Sequence, residues 1–140
     1  MNKFSLATLI LLTAGLALAD PLKPRSQGQA TACKSNEKNI ATALEMYASD
    51  NYGVYPTGLN KLVGKNPKTA YLYSIPTCPA AGKDTYSSTY KVKMARRDQK
   101  HQMISGEDYF EFHCAGHNHK EAGIPANLPA YKSDQGLIDK

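Results

Sequence analysis

An uncharged apolar run from Phe4 to Leu18 decides how much of this chain is left to fold and where it must do so. Lys3 precedes the run, Ala17-Leu18-Ala19 closes it with two small residues around a spacer, and Asp20-Pro21 follows. That order is the layout of a secretory signal peptide with its cleavage site. The run is 15 residues long, short of the ~20 that a spanning helix needs. Pro21 and Pro24 each lack an amide donor and crowd the preceding turn, so they are expected to stop any helix leaving the run. The expectation is a leader over 1–19 and an exported chain, periplasmic or extracellular, with no stable membrane anchor after cleavage. The remainder, 121 residues, suffices for one core, burying roughly two-thirds of its unfolded surface.

The exported part carries 16 Lys+Arg against 12 Asp+Glu. Such a mild basic excess favours solubility and weak attraction to polyanions without establishing a nucleic-acid role. Residues 20–26 read as a proline-stiffened linker. Residues 27–52 read as one helix, opened by Ser26-x-x-Gln29 as a capping box and stopped by Gly53. Cys33, Ile40, Leu44 and Tyr47 fall on one stripe of it, and Met46 lies on the polar side. Pro67, Pro76 and Pro79 make the next stretch mostly loop, with a short strand near Tyr71–Ile75. Two strands follow. Tyr86, Tyr90, Val92 and Met94 share one parity in the first, and Phe110, Phe112 and Cys114 in the second. A polar hairpin loop, 96–106, joins them. The tail, with Pro125 and Pro129, reads as irregular, anchored by Leu137 and Ile138. The fold class is therefore α+β: a long helix packed on a small antiparallel sheet over about 71–119.

The stretch RSQGQATACKSNEKNIATALEMYASDNYGVYP resembles the point in type IV pilin-like and type II secretion pseudopilin-like proteins where the long N-terminal helix enters the globular head. SIPTCPAAGKDTYSSTYKV, FEFHCAGHNH, IPANLPAY and QGLI resemble the rest of that head in order, so the likeness covers about residues 25–140. It implies a pilin-like domain over 27–140, a long helix against a three- or four-stranded antiparallel sheet, and a subunit or accessory of a pilus or secretion filament. The chain departs from the family at its start: no acidic residue precedes Asp20, and the pilin membrane anchor is replaced by a secretory leader. The calcium loop of the major pseudopilins is not carried over either. Calcium asks for about six to eight oxygens, and the tail offers Asp134 and Asp139, with Glu121 farther off.

Three cysteines, Cys33, Cys78 and Cys114, allow one disulfide in the oxidising compartment and leave one thiol. Cys114 points inward with Phe110 and Phe112, and Cys78 sits in the TCPAAG turn, so the expected bridge is Cys78–Cys114; Cys33–Cys78, Cys33–Cys114 and no bridge at all remain alternatives. The expected bridge closes about 37 residues and contributes roughly 3–4 kcal/mol in the chain-entropy account. Cys33 then reads as a buried small hydrophobe. His113, His117 and His119, with Glu111 as a fourth donor, form a weak metal candidate, because ligands spaced this way on a strand and turn do not share a face. Lys91, Lys93, Arg96, Arg97 and Lys100, with tyrosines nearby, form a candidate surface for an anionic polymer such as DNA. No nucleophile elbow, zinc-protease helix, P-loop or dinucleotide fingerprint occurs, and neighbouring His113 and Cys114 point to opposite faces. No enzyme and no cofactor are implied. The leading expectation is a non-catalytic exported protein acting by contact with protein partners, such as pilus or secretion components. A soluble binder of anionic polymer is the alternative, and a metal-binding protein a weaker one.

Overall fold

The computed structural model describes residues 22–64, 66 and 70–140; the leader expected over 1–19 lies outside them. Helix α1 runs Leu22–Asp50. Residues 22–26, expected to be linker, are thus helical. Pro24 falls in the first turn, where amides have no intrahelical partner and a proline costs no hydrogen bond. Ser26 does not cap: its hydroxyl donates to the Lys23 carbonyl within the helix. The C-terminus is closed by the Gly53 amide donating to the Ala48 carbonyl at 2.8 Å, with Gly53 at φ +78°. No described helix is long and apolar enough to cross a membrane.

The expected stripe is the buried face of α1. Cys33, Ile40 and Leu44 are inaccessible, and Ala30, Ala41, Ala43 and Ala48 fill the space beside them. Glu37 lies in the middle of the same face, also inaccessible. Met46 is exposed, as its place on the polar side requires.

That face packs on a four-stranded antiparallel sheet in the order β1-β4-β5-β6. Its strands are β1 (Lys91–Lys93), β4 (Tyr109–His113), β5 (Ala130–Lys132) and β6 (Gly136–Ile138). A separate ribbon pairs β2 (Arg96–Arg97) with β3 (Met103–Ser105) inside the expected hairpin loop. The tail is therefore not irregular. It returns as a β5–β6 hairpin, and β5 joins β4 with Phe112 opposite Tyr131. The first expected strand is shorter than its alternation suggested. The Asp84 carboxylate accepts from the amides of Tyr86 and Ser87 and turns the chain into a 3-10 turn over Ser87–Thr89, so pairing starts only at Lys91. Near Tyr71–Ile75 the expected strand reduces to one bridge between Val63 and Leu72.

The core is aromatic on the sheet side. Phe110, Phe112 and Tyr131 stack with centroids 6.0–6.2 Å apart, and Tyr55 meets the Phe110 edge at 4.8 Å. Leu59 and Leu62, from a 3-10 turn, close it against α1. Each such fully buried side chain contributes about 1.5–3 kcal/mol. At the far end, Arg97 ties the ribbon to the rest: it pairs with Asp108 and donates to the Gly53 carbonyl at 3.0 Å.

Candidate metal centre

Where the helix face, the sheet and two loops meet, they bring together Cys33, Cys78, Cys114 and His119, and the ligand atoms of all four lie within 4.8 Å of one another. Cys33 comes from α1. Cys78 is held in a turn, its amide bonded to the Lys83 carbonyl at 2.9 Å and its carbonyl to the Gly82 amide at 2.8 Å. Gly82 stands at φ +67°, which a side-chain-bearing residue adopts reluctantly. Cys114 follows β4, its amide fixed to the Pro129 carbonyl at 3.0 Å. His119 precedes the 3-10 turn Lys120–Ala122. The three cysteines are inaccessible and His119 is 2% exposed.

The spacing suits one tetrahedral ion. His119 Nε2 lies 3.4 Å from Cys78 Sγ and 3.6 Å from Cys114 Sγ. Metal–sulfur and metal–nitrogen bonds of about 2.3 and 2.05 Å give a sulfur–nitrogen edge of about 3.6 Å in a tetrahedron. The surroundings suit sulfur carrying negative charge. Asn118 Nδ2 donates to Cys114 Sγ at 3.4 Å, and the Thr85 hydroxyl lies 3.2 Å from it. The Tyr86 hydroxyl lies 3.1 Å from Cys33 Sγ and accepts from Asn36. The hydrogen bond from Cys33 does most to hold Cys114 down to about 4; Thr85, Asn118 and Cys78 add to it against burial. That same bond, with burial, pushes Cys33 upward, and burial raises Cys78. A bound cation would favour the deprotonated form of all three thiols.

Two buried polar groups border the cluster without partners: both carboxylate oxygens of Glu37 and Nδ1 of His119. Burial, then the charge on Cys114, drives the Glu37 carboxyl up to about 9, so it stays a neutral acid at pH 7. The Nδ1 of a histidine ligand ordinarily meets a carbonyl, a carboxylate or water; Nδ1 of His119 has no such protein partner.

The candidate residues read from the sequence are redistributed. Cys78 and Cys114 do come together, but all three cysteines are free thiols, so the expected bridge is not formed and Cys33 is a member of the cluster instead of a bystander. The histidine trio does not converge. His113 is half-buried on β4 and His117 is exposed, and only His119 reaches the sulfurs. Glu111, the expected fourth donor, is engaged by Lys91 and the Tyr109 hydroxyl. The basic surface is largely compensated. Lys91 pairs with Glu111 and Lys93 with Glu107, and Arg97 pairs with Asp108 at 15% and 12% side-chain exposure. Of the five cations, Arg96 and Lys100 alone have no ion pair among the described residues.

Four protein ligands binding one ion together would fill a tetrahedron, which is the pattern of a structural centre. Comparison with family models, curated proteins and solved structures finds no match.

Proposed function

We propose that this chain is an exported, non-catalytic α+β module that acts by contact with other proteins and whose fold is clamped by one zinc-class divalent ion. The convergence of Cys33, Cys78, Cys114 and His119, all buried, carries the clamp; the export and partner parts rest on the leader-like start and the pilin-like resemblance of the sequence. The four ligands come from α1, the 78–83 turn, the end of β4 and the segment after it, so a single ion ties the helix to the sheet and to both loops. Soft thiolate with imidazole in tetrahedral array selects zinc over magnesium or calcium. A long helix on a four-stranded antiparallel sheet supports a pilin-head-like role in a pilus or secretion assembly. The carboxylate partners of Lys91, Lys93 and Arg97 weigh against the anionic-polymer alternative.

The test is elemental analysis of protein purified in reductant without chelator, followed by cobalt(II) substitution. One zinc per chain is expected, and the intense visible bands of tetrahedral cobalt–thiolate coordination on substitution. Less than a tenth of an equivalent of metal after reconstitution, or a weak octahedral cobalt spectrum, overturns the centre.

A further inference from the structure

We propose that the same cluster has a second, covalent state, in which Cys78 and Cys114 form a disulfide, and that zinc and this bridge exclude one another. The inference rests on the zinc reading and adds a regulation to it.

The two sulfurs flank a common neighbour, His119 Nε2, at 3.4 and 3.6 Å, and lie within 4.8 Å of each other. A disulfide brings them to about 2.05 Å, so the two sulfurs must close on each other. Cys78 lies in a turn outside helix and sheet, held by its backbone hydrogen bonds with Lys83 and Gly82 and by Asn36 and Gln29, which donate to the carbonyls of Thr77 and Pro79; it is the sulfur that moves in this proposal. Cys33 is fixed in the middle of α1 with the Tyr86 hydroxyl on its sulfur. A bridge removes two of the four ligands, and Cys33 with His119 cannot retain the ion. The 78–83 turn would then be bonded covalently to the end of β4, while α1 and the His119 segment lose the tie that the ion provided and α1 keeps only the hydrogen bonds of Asn36 and Gln29 to the turn.

The oxidant is a low-molecular-weight disulfide, RSSR, of the kind an oxidising compartment maintains. The Cys114 thiolate attacks one sulfur of RSSR and expels RS⁻, leaving a mixed disulfide. The Cys78 sulfur then attacks the Cys114 sulfur and expels the second RS⁻, which takes up the proton that Cys78 releases when the ion is absent. Two electrons pass from the protein sulfurs to RSSR, the ion departs, and Cys33 takes up a proton. All three thiols are inaccessible, so RSSR reaches them only when the cluster opens. An ion that holds the cluster shut slows oxidation by the factor 1 + [Zn]/Kd, about 100-fold at free zinc near 100 times Kd.

The experiment treats the full exported chain with oxidised glutathione, with and without saturating zinc. Non-reducing peptide mapping and a zinc-sensitive dye follow the products. The zinc-free chain is expected to give one Cys78–Cys114 bridge with Cys33 alkylatable. The zinc-loaded chain is expected to keep three thiols for about 100-fold longer and to release one zinc per bridge formed. Cys33→Ser is expected to form the same bridge, and Cys78→Ser none involving Cys114 at a comparable rate. Three persistent thiols in the zinc-free chain, a Cys33–Cys114 product, or zinc retained after the bridge closes overturns the exclusion and leaves the zinc reading standing. Failure to bind zinc at all overturns that reading itself.

Discussion

Replacing Glu37 by Gln should remove a pH dependence that the native fold carries. Glu37 is inaccessible on the core face of α1, and neither carboxylate oxygen has a partner. Burial first, then the charge on Cys114, raises its carboxyl from the ordinary 4.5 to about 9. Below pH 4.5 the group is protonated in both folded and unfolded chains and adds no pH dependence. Between 4.5 and 9 the unfolded chain releases a proton that the folded chain keeps. The unfolded state then binds fewer protons, and stability falls as pH rises, by about 1.4 kcal/mol per unit. The accumulated loss is about 3 kcal/mol at pH 7 and levels off once the folded group ionises. Gln is nearly isosteric and cannot ionise. Its amide adds a roughly constant penalty of about 1–3 kcal/mol for unpartnered groups, which displaces the curve without tilting it. The assay is urea unfolding of both proteins from pH 5 to 9 in chelator and reductant, so that the thiols titrate alike in both and cancel in the difference. The variant should gain about 1.4 kcal/mol per pH unit relative to the native chain. Parallel curves would mean that Glu37 ionises as freely in the fold as outside it, and the reasoning from burial would be wrong.

Three further outcomes follow from the same geometry. Thr85→Val keeps the shape but removes the hydroxyl beside Cys114; zinc affinity in competition with a chromophoric chelator should drop about 10–100-fold, while His117→Ala, at an exposed position, should leave it unchanged. Arg97→Met strands the Asp108 carboxylate and releases the Gly53 carbonyl, and urea unfolding should show a loss of about 3 kcal/mol. Phe110→Ala, which empties the stack between Tyr55, Phe112 and Tyr131, should cost about 3–5 kcal/mol by the same measurement.

What the sequence could disclose followed the range over which each feature is encoded. The α1 face and the β4 alternation are local periodicities, and Cys33, Ile40, Leu44, Phe110 and Phe112 are buried where those periods place them. The β5–β6 hairpin has no such record. Its strands are three residues each, too short to show a period, and β5 is specified by its fit against β4 across the chain. The start of α1 was obscured by Pro24, whose penalty applies to a helix interior and not to a first turn. The Cys33, Cys78, Cys114 and His119 cluster is non-local in the same way. Only Cys114 and His119 are close in sequence, and Cys33 and Cys78 arrive from a helix and a turn that meet only after folding. Reasoning that assigns cysteines in pairs to bridges treats Cys33 as a packing residue. Two local signs pointed elsewhere. An odd number of thiols is an awkward set for bridges but a complete one for a tetrahedron with a single histidine. And Glu37, one turn from Cys33 on an otherwise apolar face, is a carboxyl that hydrophobic packing alone has no use for. A buried acid beside a cysteine is better read as the border of a polar centre than as a lapse in the stripe, because an unpartnered carboxyl is costly enough that a face made only for packing would have excluded it.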